Sequence, residues 1–100
     1  MSHASLKKNT SNQRYELVDQ GQLVAFAEYA LAGNTVKFTH TEVVTGHEGK
    51  GYGSTLAKLA LNAVRAEKMQ VIPACPFIAG YIQKHAEYET LIDRENVHDR

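Results

Sequence analysis

The chain has 100 residues, 43% of them hydrophobic, and its eleven basic and eleven acidic side chains cancel to zero formal charge. That length supports one small domain with a single core, and the balanced charge leaves no electrostatic footprint for nucleic acid or an anionic membrane. The lone cysteine, Cys75, excludes an internal disulfide, and no Cys/His spacing suggests a bound metal.

No apolar stretch approaches the ~20 residues of a membrane span, and no signal peptide is visible, so a reducing cytoplasm is the expected setting. Residues 1–12 are rich in Ser, Asn, Lys and Thr and are expected to form a disordered tail, with the folded domain over 13–91. Arg14 to Val18 reads as a strand, Gln20-Gly21 as a turn, and Gln22 to Leu31 as a second strand offering Leu23, Val24, Phe26, Tyr29 and Leu31 to the core. After a turn at Gly33-Asn34, Thr35 to Val44 forms a third strand. Strict alternation puts Val36, Phe38, His40 and Glu42 on one face, and Lys37, Thr39, Thr41 and Val43 on the other.

Four glycines then fall within eight residues, Gly46 to Gly53, directly before the strongest helical pattern in the chain. Glycine admits positive φ and lets a ligand approach the main chain. A helix start adds unpaired N–H groups and the positive end of the macrodipole, so an anion such as a phosphate is the natural guest. A nucleoside-triphosphate loop is excluded, because Tyr52 and Gly53 stand where Lys and Ser/Thr are needed after Gly51. The dinucleotide pattern fails at Ser54, its third glycine position. The glycines alone are equally compatible with a loop that binds nothing.

Leu56, Leu59, Ala60, Ala63 and Val64 predict an amphipathic helix from about Gly53 to Lys68. Met69 to Cys75 suits a buried strand, parallel to the third if the helix is a crossover, with Pro73 interrupting its ladder. Pro76 opens a second helix to about Tyr88, with Phe77, Ile78, Tyr81, Ile82 and His85 on one side. Residues 92–100 read as a charged, loose tail. Three strands, helix, strand and helix make a small α+β fold with a mixed, mainly antiparallel sheet.

This order resembles the GCN5-related N-acetyltransferase fold, in which the pyrophosphate of acetyl-CoA sits on a Gln/Arg-x-x-Gly-x-Gly/Ala loop. The matching segment is Glu48-Gly49-Lys50-Gly51-Tyr52-Gly53, which departs from the pattern at Glu48. The minimal YjdJ-type branch is closer still. Its motifs correspond to His40-Thr41-Glu42-Val43, then Gly49 to Ser54, then Pro73-Ala74-Cys75-Pro76-Phe77, and last His85-Ala86-Glu87-Tyr88, so the likeness runs from about Arg14 to Tyr88.

The resemblance implies an acetyl-CoA-binding N-acetyltransferase acting on a primary amine of a small molecule or a protein. It implies that strands three and four splay to admit the pantetheine arm. The cofactor would lie against Val43, Val44, Glu48, Gly49, Lys50, Gly51, Tyr52, Gly53, Ser54, Cys75, Pro76, Phe77 and Tyr81. Cys75, one residue before Pro76, falls at a helix N-cap, where a thiolate is stabilised and acetyl transfer through or beside the thiol becomes chemically accessible. His40 supplies a base suited to neutral pH, Glu42 a weaker candidate, and Tyr81 a hydroxyl to protonate or orient the departing sulfur. The short chain leaves the acceptor side open, as expected of a monomer or a weak homodimer. The alternatives are a module that binds CoA without catalysis and an interaction domain that has lost the cofactor.

Overall fold

A computed structural model of the protein describes residues 4–93. Alternating apolar and polar residues build four consecutive antiparallel strands: β1 (Ser5–Asn9), β2 (Arg14–Asp19), β3 (Gln22–Ala32) and β4 (Thr35–Val43). The turn between β2 and β3 has positive φ at both Gln20 and Gly21, the twist that a two-residue hairpin requires. Helix α1 (Tyr52–Ala66) then crosses back to β5 (Gln70–Pro73), which pairs parallel to β4 and completes a sheet of order β1-β2-β3-β4-β5. Helix α2 (Pro76–Lys84) and a 3-10 segment (Ala86–Leu91) follow.

One sheet face carries the core. Tyr15 and Leu17 of β2, Ala25, Ala27 and Tyr29 of β3, and Val36 and Phe38 of β4 form one buried cluster with Leu56, Leu61 and Val64 of α1 and Ile78 and Ile82 of α2. The buried stripe of α1 is Leu56, Ala57, Ala60, Leu61 and Val64. It is rotated from the expected one, so that Leu59 and Ala63 lie at its margin. Leu31, expected in the core, is 52% exposed, like its neighbours Ala30 and Ala32 at the end of β3, and Leu23 and Phe26 are only half-buried.

Both termini depart from expectation. The polar segment predicted as a disordered tail contains β1, where Leu6 packs on the core and the Lys8 Nζ lies 5.6 Å from the Tyr15 ring centroid and 3.2 Å from Glu67 Oε1. An edge strand needs few apolar residues, since half of it faces water, so its composition resembles that of a tail. At the other end, Ile92 bridges to Val71 and the Asp93 N–H donates to the Val71 carbonyl at 2.9 Å. The Thr35 hydroxyl donates to the Asp93 carboxylate at 2.5 Å. The rest of the expected C-terminal tail, 94–100, lies outside the described residues, as do 1–3 of the N-terminal one. The second helix is shorter than its pattern suggests: His85, at φ −130° and ψ 80°, ends α2 before Tyr88.

Candidate functional site

The glycine run folds as a tight loop over the start of α1. Gly46, Gly49 and Gly51 all have positive φ, and Gly51 is the helix N-cap in the left-handed conformation with no side chain capping it. A glycine cap leaves the N–H groups of the first helical turn without a side-chain acceptor, and no acidic residue occupies that turn. The space where side chains would begin at Gly49 and Gly51 is open to 4 Å. Gly53 has a different purpose: a Cβ there would lie 2.9 Å from Cζ of Phe77, whose ring rests across the helix start.

Glu48 folds back onto its own loop, accepting the Gly46 N–H at 2.9 Å. Its carboxylate thereby serves as an internal staple. Tyr52 anchors the other end of the loop: its hydroxyl donates to Asp19 Oδ2 at 2.5 Å, a bond that raises the phenol's pKa. Asp19 is buried at the end of β2, thirty-three residues away in sequence, and escaped the sequence reading because a carboxylate beside a turn ordinarily marks a solvated strand end.

The β4–β5 ladder covers only Thr35 to Phe38 against Gln70 to Pro73. Proline donates no ladder bond, and the chain turns away at once, with the Ala74 N–H donating to the Ile72 carbonyl at 3.0 Å. Since β4 runs on to Val43, its edge from Thr39 onward has no ladder partner in β5. Val43 and Val44, both half-buried, are the last residues of this edge before the glycine loop.

Cys75 sits against that unpaired edge. It is the N-cap of α2, 4% exposed, and its thiol donates to Thr41 Oγ1 at 3.3 Å. The partner is Thr41 and not His40 because of a β-bulge. Glu28 pairs with His40 and Tyr29 with Phe38, so Thr39 is an extra residue that reverses the alternation of β4. The expected grouping of His40 and Glu42 with Val36 and Phe38 is therefore corrected: Thr41 and Val43 continue the inner face, and His40 and Glu42 turn outward. His40 and Glu42 are about half exposed (53% and 52%), 3.1 Å from each other, and His40 lies near the Phe26 ring on the uncovered face. The structure brings Thr41 to Cys75 and leaves both expected bases on the other side of the sheet.

A cleft of about 240 Å³ opens beside the glycine loop, lined by Ser54 of α1 and by Pro76, Phe77, Gly80, Tyr81, Lys84 and His85 on one flank of α2. The Tyr81 ring stacks on His85 at 4.0 Å, and His85 Nδ1–H donates to the Tyr81 carbonyl at 2.9 Å. Desolvation first, then the neighbouring Tyr88 and Glu87, raise the Tyr81 pKa and keep the phenol protonated. Six residues of helix place Tyr81 about 9 Å along the axis from Cys75. Lys50 is exposed on the loop, and His47 packs edge-on against Tyr52 at 6.0 Å. Among the described residues no cluster of three His, Cys, Asp or Glu could hold a metal, and no helix is long and apolar enough to cross a membrane.

No curated protein is similar enough to this sequence to count as a relative. Among solved structures, the NMR solution structure of a Staphylococcus aureus protein described as GCN5-like superposes with a TM-score of 0.67, covering 92% of this chain and 90% of that one at 22% identity. At that identity the likeness concerns the fold. The family model of GCN5-related N-acetyltransferases matches residues 14–91, from the start of β2 through the 3-10 segment. By that match the chain belongs to the GCN5-related N-acetyltransferase family.

Proposed function

We propose that the protein is an acetyl-CoA-dependent N-acetyltransferase that acetylates a primary amine. The observation that carries this is the combination of two features: an uncapped, glycine-rich helix start, and a β4 edge that β5 leaves unpaired beyond Phe38, against which Cys75 sits through its bond to Thr41. Either alone is compatible with a structural role. Together they match a long ligand with a phosphate in its middle and a thioester at one end.

The residues present fit that ligand. The N–H groups of Tyr52, Gly53 and Ser54 offer the pyrophosphate a set of donors, and Lys50 adds positive charge. The free edge of β4 beyond Phe38 offers backbone partners to the amides of pantetheine, between Val43 and Val44 on one side and Cys75, Pro76 and Phe77 on the other. Bound there, acetyl-CoA supplies an activated acetyl group. The Thr41 hydroxyl and Cys75 thiol form a small polar pair beside that edge and hold the reacting group in place. A phenol with a raised pKa gives up its proton reluctantly to a thiolate of ordinary basicity, so Tyr81 orients the cofactor by hydrogen bonding more readily than it acts as an acid. With His40 and Glu42 on the outer face, deprotonation of the amine falls to solvent, and the rate follows the acceptor's own ionisation.

One observation favours the second reading, a CoA-binding module without turnover. Glu48 replaces a neutral or basic residue of the family pattern, and although its carboxylate is tied to the Gly46 N–H, it adds negative charge beside an anion site. Calorimetry with CoA, combined with thiol release from acetyl-CoA over a panel of amines, separates the two. Saturable binding with amine-dependent release supports the enzyme; binding without release on any amine supports the module. Intact mass after incubation with acetyl-CoA, for wild type and Cys75→Ala, reports on the route. A cysteine-dependent gain of one acetyl group places the acetyl on Cys75, and an unchanged mass with sustained turnover indicates direct transfer.

A further inference from the structure

Cys75 belongs to a segment that leaves the sheet and returns to it. The chain departs from β5 at Pro73, carries Cys75, α2 and the 3-10 segment, and comes back to β5, where Ile92 bridges to Val71 and the Asp93 N–H donates to the Val71 carbonyl at 2.9 Å. Residues 71–93 thus form a closed loop that contains Cys75 and the whole α2 flank of the cleft. The strand on which the loop closes is itself short: β5 pairs with β4 only over Gln70–Pro73, and its last residue has no N–H to donate.

Asp93 adds a second tie at this closure. Its carboxylate accepts the Thr35 hydroxyl, so one residue is bonded through its main chain to β5 and through its side chain to the first residue of β4. Both Asp93 and Thr35 are buried, at 7% and 3% exposed. Their bond lies at the end of the parallel pair where Thr35 faces Gln70, and the strands part at the other end, where Phe38 faces Pro73 and Cys75 follows. A buried carboxyl group is costly unless hydrogen-bonded, so the tie and the loop it closes open together. The thiol's own bond to Thr41, at 3.3 Å, is made by a weak donor and leaves Cys75 dependent on these stronger fastenings.

We propose that Asp93 is a positioning residue for Cys75: with Thr35 it forms a clasp that seats the 71–93 loop on β4 and β5, and release of the clasp lets the loop lift as a unit and expose the thiol. Its bearing on catalysis rests on the reading of Cys75 as part of the acetyl-transfer site.

The full chain labelled with excess Ellman's reagent in urea below the unfolding transition tests the clasp, since Cys75 is the lone cysteine and is 4% exposed. Wild type is expected to label slowly, with a urea dependence shallower than that of global unfolding, because lifting the loop exposes only part of the buried surface. Thr35→Val and Asp93→Ala are each expected to label about tenfold faster with the same shallow dependence, the effect of losing one hydrogen bond to a charged group. Asp93→Asn, whose amide oxygen still accepts the hydroxyl, is expected to stay within about twofold of wild type. Thr35→Val keeps the side chain's shape and carries the test alone if Asp93→Ala does not fold. Labelling that follows the steep urea dependence of global unfolding overturns the inference, by making the bond a contribution to overall stability only. Unchanged rates in Thr35→Val overturn it too, as does an Asp93→Asn rate equal to that of Asp93→Ala. Labelling needs no acetyl-CoA, so a failure of the acetyltransferase reading and a failure of the clasp show separately.

Discussion

Thr41 and His40 are neighbours in sequence with opposite surroundings, and the difference has measurable consequences. Replacing Thr41 by Val removes the hydroxyl that accepts the Cys75 thiol, at a cost of about 1 kcal/mol in stability. It also frees the thiol to rotate. Acetyl transfer is expected to fall by about five- to tenfold in Thr41→Val, while His40→Ala stays within about twofold of wild type, both read as kcat/KM at fixed pH. A large loss in His40→Ala would restore it as the base and contradict its outward placement. On the same outer face, Glu16 accepts from Arg14 Nε at 2.7 Å and from Asn9 at 3.0 Å, and these bonds hold its pKa below the ordinary carboxylate range. A carboxyl whose folded pKa is lowered stabilises the fold at pH values above its unfolded pKa, and the benefit disappears as pH falls through the folded value. Urea denaturation should therefore show Glu16→Gln less stable than wild type by about 1 kcal/mol at pH 7, with the gap closing as pH drops below about 4.

At the scale of elements, the start of α1 opposes stability to binding. Glycine at a helical position costs roughly 1 kcal/mol relative to alanine, and Gly53 sits one residue inside the helix. Its Cβ would meet only the tip of the Phe77 ring, an exposed side chain with room to move. Gly53→Ala is accordingly expected to unfold at the same or a higher temperature while binding CoA several-fold more weakly, because the displaced ring intrudes on the ligand's path. A stable variant with unchanged affinity would detach Phe77 from the cofactor. Gly51 answers to backbone conformation instead, since its φ of 78° penalises any side chain. The Tyr52–Asp19 bond then couples the loop to the β2–β3 hairpin, so the glycine loop is braced by the sheet and not by its own motif alone.

The described residues make a two-layer sandwich that leaves one sheet face without a covering layer, and its first strand is the least obvious part of it. Removing residues 1–10 deletes β1, exposes the β2 edge, and strips Leu6 from the core and Lys8 from the Tyr15 and Tyr29 rings. A drop in melting temperature of several degrees is expected, the effect of about 1–2 kcal/mol in a domain of this size. An unchanged melting temperature would mean that the segment behaves as the tail its composition suggests. Much else was legible in the residues. The hairpin from Arg14 to Leu31, the crossover helix, a parallel strand within Met69 to Cys75 and the helix opening at Pro76 all rest on local periodicity, proline and glycine, and each forms there, the strand stopping at Pro73 short of its expected end. A glycine-rich loop before the helix was equally legible, because glycine readily takes the positive φ found at Gly46, Gly49 and Gly51. The partners of the site were not. A single inserted residue at Thr39 exchanges which side chains of β4 face Cys75, and that insertion exists only relative to the register of β3. Asp19 reaches Tyr52, and β1 joins the sheet, through pairings between distant segments. Short-range pattern and backbone preference thus settled the order of elements and the character of the loop, whereas which side chains meet in the site depended on strand register, a property that arises only when strands pair.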